Sequence, residues 1–284
     1  MIENNSLYRL VKEHAPQSVR NTMRSTVRSF VDVYAGFRGL SPGYALPDFL
    51  IVGAQKAGTT SLFNWLVESG FVQPPIVKEV GFFDARWHWP INYRGYFNAR
   101  KPDCLVGEAT PSYLVFPEVP ERVSKELGAD CKIIVVLRDP VDRSVSHYFH
   151  ECRLGFEKRN MYAAMLEEEK LIEEAFDPDT SASRRRYILT HYSYVYRSNY
   201  SERLVPWLKE FDRKNILFVK SEEMFRDPRN TVDSVAAFLG ARVSNVRSFK
   251  ARNTNNYVFE DSRVASYLKD RLSAESENYN DWVY

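Results

Sequence analysis

Gly53 and Gly58 bracket Lys56, and the second glycine is followed by three hydroxyl residues, Thr59, Thr60 and Ser61. Residues of these types bind phosphate: glycines let backbone N–H groups approach an anion, lysine supplies charge and hydroxyls add donors. Farther along stand Arg138 and Ser146, one cation and one hydroxyl suited to a second anion. Glu79 sits among apolar neighbours (Val77, Val80, Phe82), surroundings in which a carboxylate becomes a better proton acceptor. Each group has a plainer reading. Glu79 taken alone reads first as a surface or salt-bridged carboxylate, and Arg138 competes with a structural arginine beside a helix-capping Asp139.

The elements around these residues narrow the choice. Phe49 to Val52 is a short apolar run fit for a buried strand, and Leu62, Trp65 and Leu66 recur at helical spacing. The loop between them, Ala54 to Gly58, therefore feeds a helix N-terminus, where unpartnered N–H groups carry partial positive charge. A nucleoside-triphosphatase loop reads GxxxxGK followed by Ser or Thr. Here the glycine spacing matches, but Thr59 holds the lysine position and the lysine lies inside the loop. Lys132 to Leu137 is the clearest buried strand, a continuous β-branched run of the parallel-sheet kind. Arg138 follows it directly, at the carboxyl end where ligands bind in open α/β sheets. A helix beginning near Pro140 puts Ser146 about two turns on, able to face the same crevice.

With 284 residues the chain can bury a full core, as one large α/β domain or one domain with an appendage. Lys and Arg number 39 against 37 Asp and Glu, so charge balance does not call for nucleic acid. Three cysteines without paired spacing indicate neither a disulfide framework nor a zinc site. No apolar run approaches the ~20 residues of a membrane span, and no signal-peptide pattern opens the chain, so a cytoplasmic protein is expected. Residues 1–46 are distinct, with basic residues punctuating apolar ones in one or two amphipathic helices broken at Pro16. That segment is expected to pack on the domain it precedes, residues 47–284; peripheral contact with an anionic membrane is the competing use.

Other stretches are less specific. Arg86, Trp87, His88 and Tyr93 mix aromatics with cations as an acceptor groove would, and would serve equally as half-buried packing. Ser181 to Arg186 reads as an arginine-rich loop, either a solvated turn or a clamp for an anionic acceptor, Glu167 to Glu169 as a solvated acidic face, and Lys250 to Asn253 as a late basic loop.

Taken together the motifs resemble those of sulfotransferases that use 3′-phosphoadenosine 5′-phosphosulfate (PAPS), in particular the heparan-sulfate-type branch and its bacterial relatives. GAQKAGTTS matches the 5′-phosphosulfate loop, KEVGFFD the segment bearing the base, and LRDPVDRSVSHY the 3′-phosphate site. GEATPSY and SEEMFRDP match weaker patterns, so the likeness runs from about Pro47 to Leu239. It implies a P-loop-like three-layer α/β fold with a central, mostly parallel sheet flanked by helices. It also implies that Lys56, Ala57, Gly58, Thr59, Thr60 and Ser61 hold the 5′-phosphosulfate, and Arg138 and Ser146 the 3′-phosphate, with Lys250 and Arg252 as a loose match for a closing loop. Glu79 would take the acceptor's proton while Lys56 neutralises charge on the leaving phosphate, adenosine 3′,5′-bisphosphate being the product, and no metal is needed. The acceptor would be a glycan, a glycolipid or another hydroxylated compound. Two departures stand out: Gly81 where the branch often has histidine, and Ala109 where the animal glycan enzymes have lysine. The competing functions are a P-loop ATP- or GTP-dependent kinase, with Asp139 organising magnesium, and a non-catalytic nucleotide- or anionic-glycan-binding protein.

Overall fold

A computed structural model describes residues 17–41, 43–86, 93–242, 249–250, 261–279 and 281–283. Its centre is a sheet of five strands in the order β2-β3-β1-β4-β5, and every pairing is parallel. The strands are β1 (Phe49–Gly53), β2 (Val72–Gln73), β3 (Leu105–Ala109), β4 (Lys132–Leu137) and β5 (Ile216–Lys220). All of β1 and all but the first residue of β4 are buried. A strand buried at successive positions must be covered on both faces, which is why β1 and β4 carry unbroken apolar runs. The sheet is flanked by helices, an α/β fold as the sequence implied.

The topology places the site. From β1 the chain moves outward to β2, returns to β3 beside β1, then crosses to β4 on the other side of β1. The carboxyl ends of β3, β1 and β4 therefore lie side by side where the winding direction reverses, the crevice in which such sheets bind ligands. Ile51 pairs with Ala109 on one side and Ile134 on the other.

Before the sheet comes α1 (Gln17–Gly39), a helix docked by one face. Its Ala35 backbone lies so close to Gly95 that a Cβ there would stand 1.8 Å from Ala35 O, so only glycine permits the approach. Asp32 accepts from Tyr96 Oη at 2.8 Å, and Arg38 donates to Phe97 O at 3.0 Å. The opposite face stays open, with Phe30 71% and Phe37 72% exposed and Val33 and Tyr34 also on the surface. No helix among the described residues is long and apolar enough to cross a membrane.

Six helices carry the chain around the sheet after β1: α2 (Thr59–Glu68), α3 (Val119–Leu127), α4 (Pro140–Leu154), α5 (Met161–Phe176), α6 (Ala182–His191) and α7 (Tyr200–Glu210). After β5 follow α8 (Ser221–Arg226), α9 (Pro228–Leu239) and α10 (Ser262–Asn278). Two sequence expectations are corrected. The arginine-rich stretch from Ser181 is not a loop: Ser181 caps α6 by accepting from Arg184 N, and the arginines form its first turns. Nor is Glu167 to Glu169 a uniformly solvated face, because Glu168 is buried and accepts from Val195 N at 2.9 Å and Tyr196 N at 2.8 Å. Two backbone donors that would otherwise be buried without partners draw that carboxylate inward.

Candidate active site

The loop between β1 and α2 is held by backbone bonds, Ala54 N to Val136 O at 2.6 Å and Ala57 N to Ala54 O at 3.1 Å. Gly58, the residue before α2, lies at φ +95°, and a Cβ there would meet Met224 at 2.6 Å and the Phe225 ring at 2.9 Å. Glycine thus serves both the left-handed turn and the close approach of α8. No side chain caps α2. Ser61 N–H turns back to Gly58 O at 2.9 Å, and the start of the helix presents the positive end of its dipole, where an anion is favoured.

Lys56 sits in the loop at φ +74°, half-buried. Burial lowers its pKa to about 8, and the neighbouring Arg153, Arg138 and Arg143 push in the same direction against the opposing pull of Glu151. Arg138 leaves the end of β4 and donates to Lys56 O at 3.4 Å, with Asp142 as its ion-pair partner at 3.3 Å. Ser146 lies buried on α4, whose start at Pro140 is where the sequence predicted it. The loop and the post-β4 segment, far apart in sequence, therefore meet.

Two arginines that sequence reasoning passed over lie beneath this loop. Arg143 and Arg197 are both buried; Arg143 donates to Gln55 O at 3.5 Å and Arg197 to Gln55 Oε1 at 2.7 Å. Their other hydrogen bonds go to neutral groups such as Ser198 Oγ, Leu189 O and Ser193 Oγ. Burial lowers both, Arg143 to about 10 and Arg197 to about 9, so the loop rests on positive charge in poorly hydrated surroundings. Nothing in the sequence marks an arginine as buried. The arrangement suits a multiply charged phosphate ligand: a helix N-terminus, a lysine and a set of arginines converge on one loop.

The segment after β2 is anchored to the end of β3. Gly81 N donates to Thr110 Oγ1 at 3.2 Å and Phe82 N to Tyr113 Oη at 2.9 Å. Beneath them Glu108 is buried and accepts from Tyr93 Oη at 2.7 Å, Tyr113 Oη at 2.9 Å and Thr110 Oγ1 at 3.2 Å. Burial raises Glu108 to about 7, while those three hydroxyls oppose the shift. The GEATPSY motif supplied the sequence signal for this network. Glu79 follows its plainer sequence reading, a surface carboxylate with an ion-pair partner: it is 48% exposed and 3.3 Å from Lys78, and its apolar neighbours do not enclose it. Its backbone lies at φ +56°, and Gly81 at φ +61°. For Glu79 that conformation stores strain on the order of 1 kcal/mol, of the sort that gathers at functional sites.

Tyr93 is corrected as an acceptor contact: it is buried, stacks on Phe82 at 4.7 Å and serves Glu108. Trp87, His88 and Arg252 fall outside the described residues, as does the side chain of Arg86. Lys250 is exposed, and its carbonyl accepts from Trp65 Nε1 at 3.1 Å, which brings the start of the late basic stretch onto α2. Asp139 caps α4, accepting from Asp142 N at 2.9 Å.

A model of the sulfotransferase domain matches residues 46–281. The chain belongs to the sulfotransferase family. Among curated relatives, mouse (Mus musculus) heparan sulfate glucosamine 3-O-sulfotransferase 3B1 is 32% identical over 203 residues, 69% of this chain and 47% of that protein. The mouse 3-O-sulfotransferase 5 is 30% identical over 200 residues, 68% of this chain and 53% of that protein. The chain thus spans about half the length of these relatives. A sulfotransferase structure from Alicyclobacillus acidocaldarius superposes with a TM-score of 0.67 at 25% identity, covering 84% of this chain and 96% of the other. The matched region takes in the Lys56 loop, the Glu79 segment and Arg138, and it leaves out α1.

Proposed function

We propose that this sulfotransferase-family protein transfers a sulfuryl group from PAPS to a hydroxyl on a glycan or glycolipid, with Glu79 as general base. The observation that carries the reading is the convergence at one end of the sheet: a lysine-bearing loop feeding an uncapped helix, Arg138 against that loop, and the Glu79 segment tied to the adjacent strand. When bound, PAPS supplies the sulfuryl group and a nucleotide leaving group. Lys56, Gly58, Thr59, Thr60 and Ser61 would hold its 5′ end, and Arg138 and Ser146 its 3′-phosphate. Glu79 takes the proton of the acceptor hydroxyl, and its exposure leaves it accessible to a bulky sugar. Lys56, the α2 N-terminus and the buried arginines offset negative charge on the departing phosphate, a preorganised electrostatic contribution. The acceptor assignment is supported by the glycan-directed names of the relatives. The kinase alternative is weakened because the Asp139 carboxylate is committed to capping α4. We also propose that the open apolar stripe of α1 lies on an anionic membrane surface, since beyond the docked Arg28 and Arg38 the helix sequence adds Arg20 and Arg24 against the single acid Asp32.

The test is transfer of label from sulfur-labelled PAPS to heparan sulfate, neutral glycans and glycolipids, with and without magnesium. Glu79→Gln is expected to keep its affinity for adenosine 3′,5′-bisphosphate while turnover falls by roughly 10²-fold or more. Unchanged turnover would remove Glu79 as the base, and label on none of the acceptors would overturn the acceptor class.

A further inference from the structure

Helix α1 ends before the region that matches the sulfotransferase family, yet one of its side chains reaches the segment bearing Glu79. Arg28 donates from Nη1 to Glu79 O at 3.0 Å and from Nη2 to Val80 O. Its Nε is held by Asp32 Oδ1 at 3.2 Å, and Tyr96 Oη donates to the same carboxylate oxygen at 2.8 Å. The guanidinium also lies 5.9 Å from the Tyr96 ring centre. Arg28 is thus fixed on one side by Asp32 and Tyr96, and spends its fork on two consecutive carbonyls.

Those carbonyls belong to a stretch that turns through positive φ at Glu79 and again at Gly81. Extended or helical neighbours would satisfy such carbonyls within a ladder; here a side chain from outside the domain does so. On the far side Thr110 and Tyr113 hold Gly81 and Phe82, so the stretch is gripped from both directions. Resting on the reading of Glu79 as the base, we infer that Arg28 is a positioning residue for Glu79, and that α1 forms part of the acceptor half of the site. Arg28 touches neither reacting group; it sets the backbone from which the carboxylate projects. The planar fork matters, because one lysine ammonium cannot span two carbonyls with the same rigidity.

The experiment compares wild type with Arg28→Ala, Arg28→Lys, Glu79→Gln and the Arg28→Ala/Glu79→Gln pair. Turnover is measured with labelled PAPS and heparan sulfate oligosaccharides, donor-site binding by calorimetry with adenosine 3′,5′-bisphosphate, and amide exchange over Val80 to Phe83. Arg28→Ala is expected to lower kcat by roughly 10- to 100-fold, because small misplacements of a reacting group are costly, with bisphosphate affinity kept within about twofold. Arg28→Lys recovers part of the loss. In the Glu79→Gln background Arg28→Ala adds little, as expected for a residue acting through Glu79. Additive losses, or bisphosphate affinity falling in step with kcat, overturn the proposal in favour of a general structural role. If wild type does not modify these oligosaccharides, the acceptor reading fails, and exchange still decides on Arg28. Exchange about tenfold faster at Val80 to Phe83 with α4 unaffected supports the clamp, and unchanged exchange sinks it.

Discussion

Lys56 holds its charge against its surroundings: burial and three nearby arginines bring its pKa to about 8. The folded value lies below the unfolded one, so the protonated amine costs the free protein stability below pH 8, and that cost is relieved as pH rises from about 8 toward the unfolded value. An anion that needs the protonated form reverses the balance. Affinity for adenosine 3′,5′-bisphosphate is therefore expected to be steady below pH 8 and about tenfold weaker at pH 9 than at pH 7, by calorimetry. Lys56→Gln should bind more weakly at both and lose the slope; a slope that survives the substitution would exclude Lys56 as its source. Lys56, Gly58 and Arg138 were legible because their types and spacing are tied to strand ends. Tyr93, Glu168, Arg143 and Arg197 were not, since an aromatic or charged side chain turns inward only where another element offers it a hydrogen bond.

Among the elements, the β1 loop and α2 depend on α8 from the far end of the chain. Met224 and Phe225 press on Gly58, so the Lys56 loop is shaped by a helix that follows β5. Gly58→Ala adds a methyl group that meets both side chains in a left-handed backbone, and is expected to destabilise the fold by about 2 kcal/mol. A lower urea midpoint at unchanged m-value would register this. A midpoint equal to wild type would mean that α8 yields without cost. The strands β1 and β4 and the start of α4 stood out in the sequence as long apolar runs and a proline at a helix start. The arginine-rich stretch at 182–186 did not announce a helix, because its side chains lack an apolar period and its capping serine lies outside the run.

For the whole molecule, α1 joins two surfaces, the acceptor side it clamps through Arg28 and the open stripe of Phe30, Val33, Tyr34 and Phe37. The protein is expected to sediment with phosphatidylserine-containing vesicles and not with phosphatidylcholine alone, and the pair Phe30→Ser and Phe37→Ser should remain in the supernatant. A dimer that forms without vesicles and is broken by the same pair would instead make a second copy the occupant of that face. The sequence by itself determined the parallel α/β architecture and the place of the Lys56 loop between a strand and a helix, because both are written in local spacing: glycines around a lysine, a β-branched run, an arginine at its end. Only the tertiary structure decided that Glu79 stands exposed on a backbone held by Arg28, that Glu108 is buried where Glu79 is not, and that two buried arginines underlie Gln55. Those features arise between segments distant in the chain, where burial and hydrogen-bond partners depend on what packs alongside, and no spacing along one segment records its neighbour.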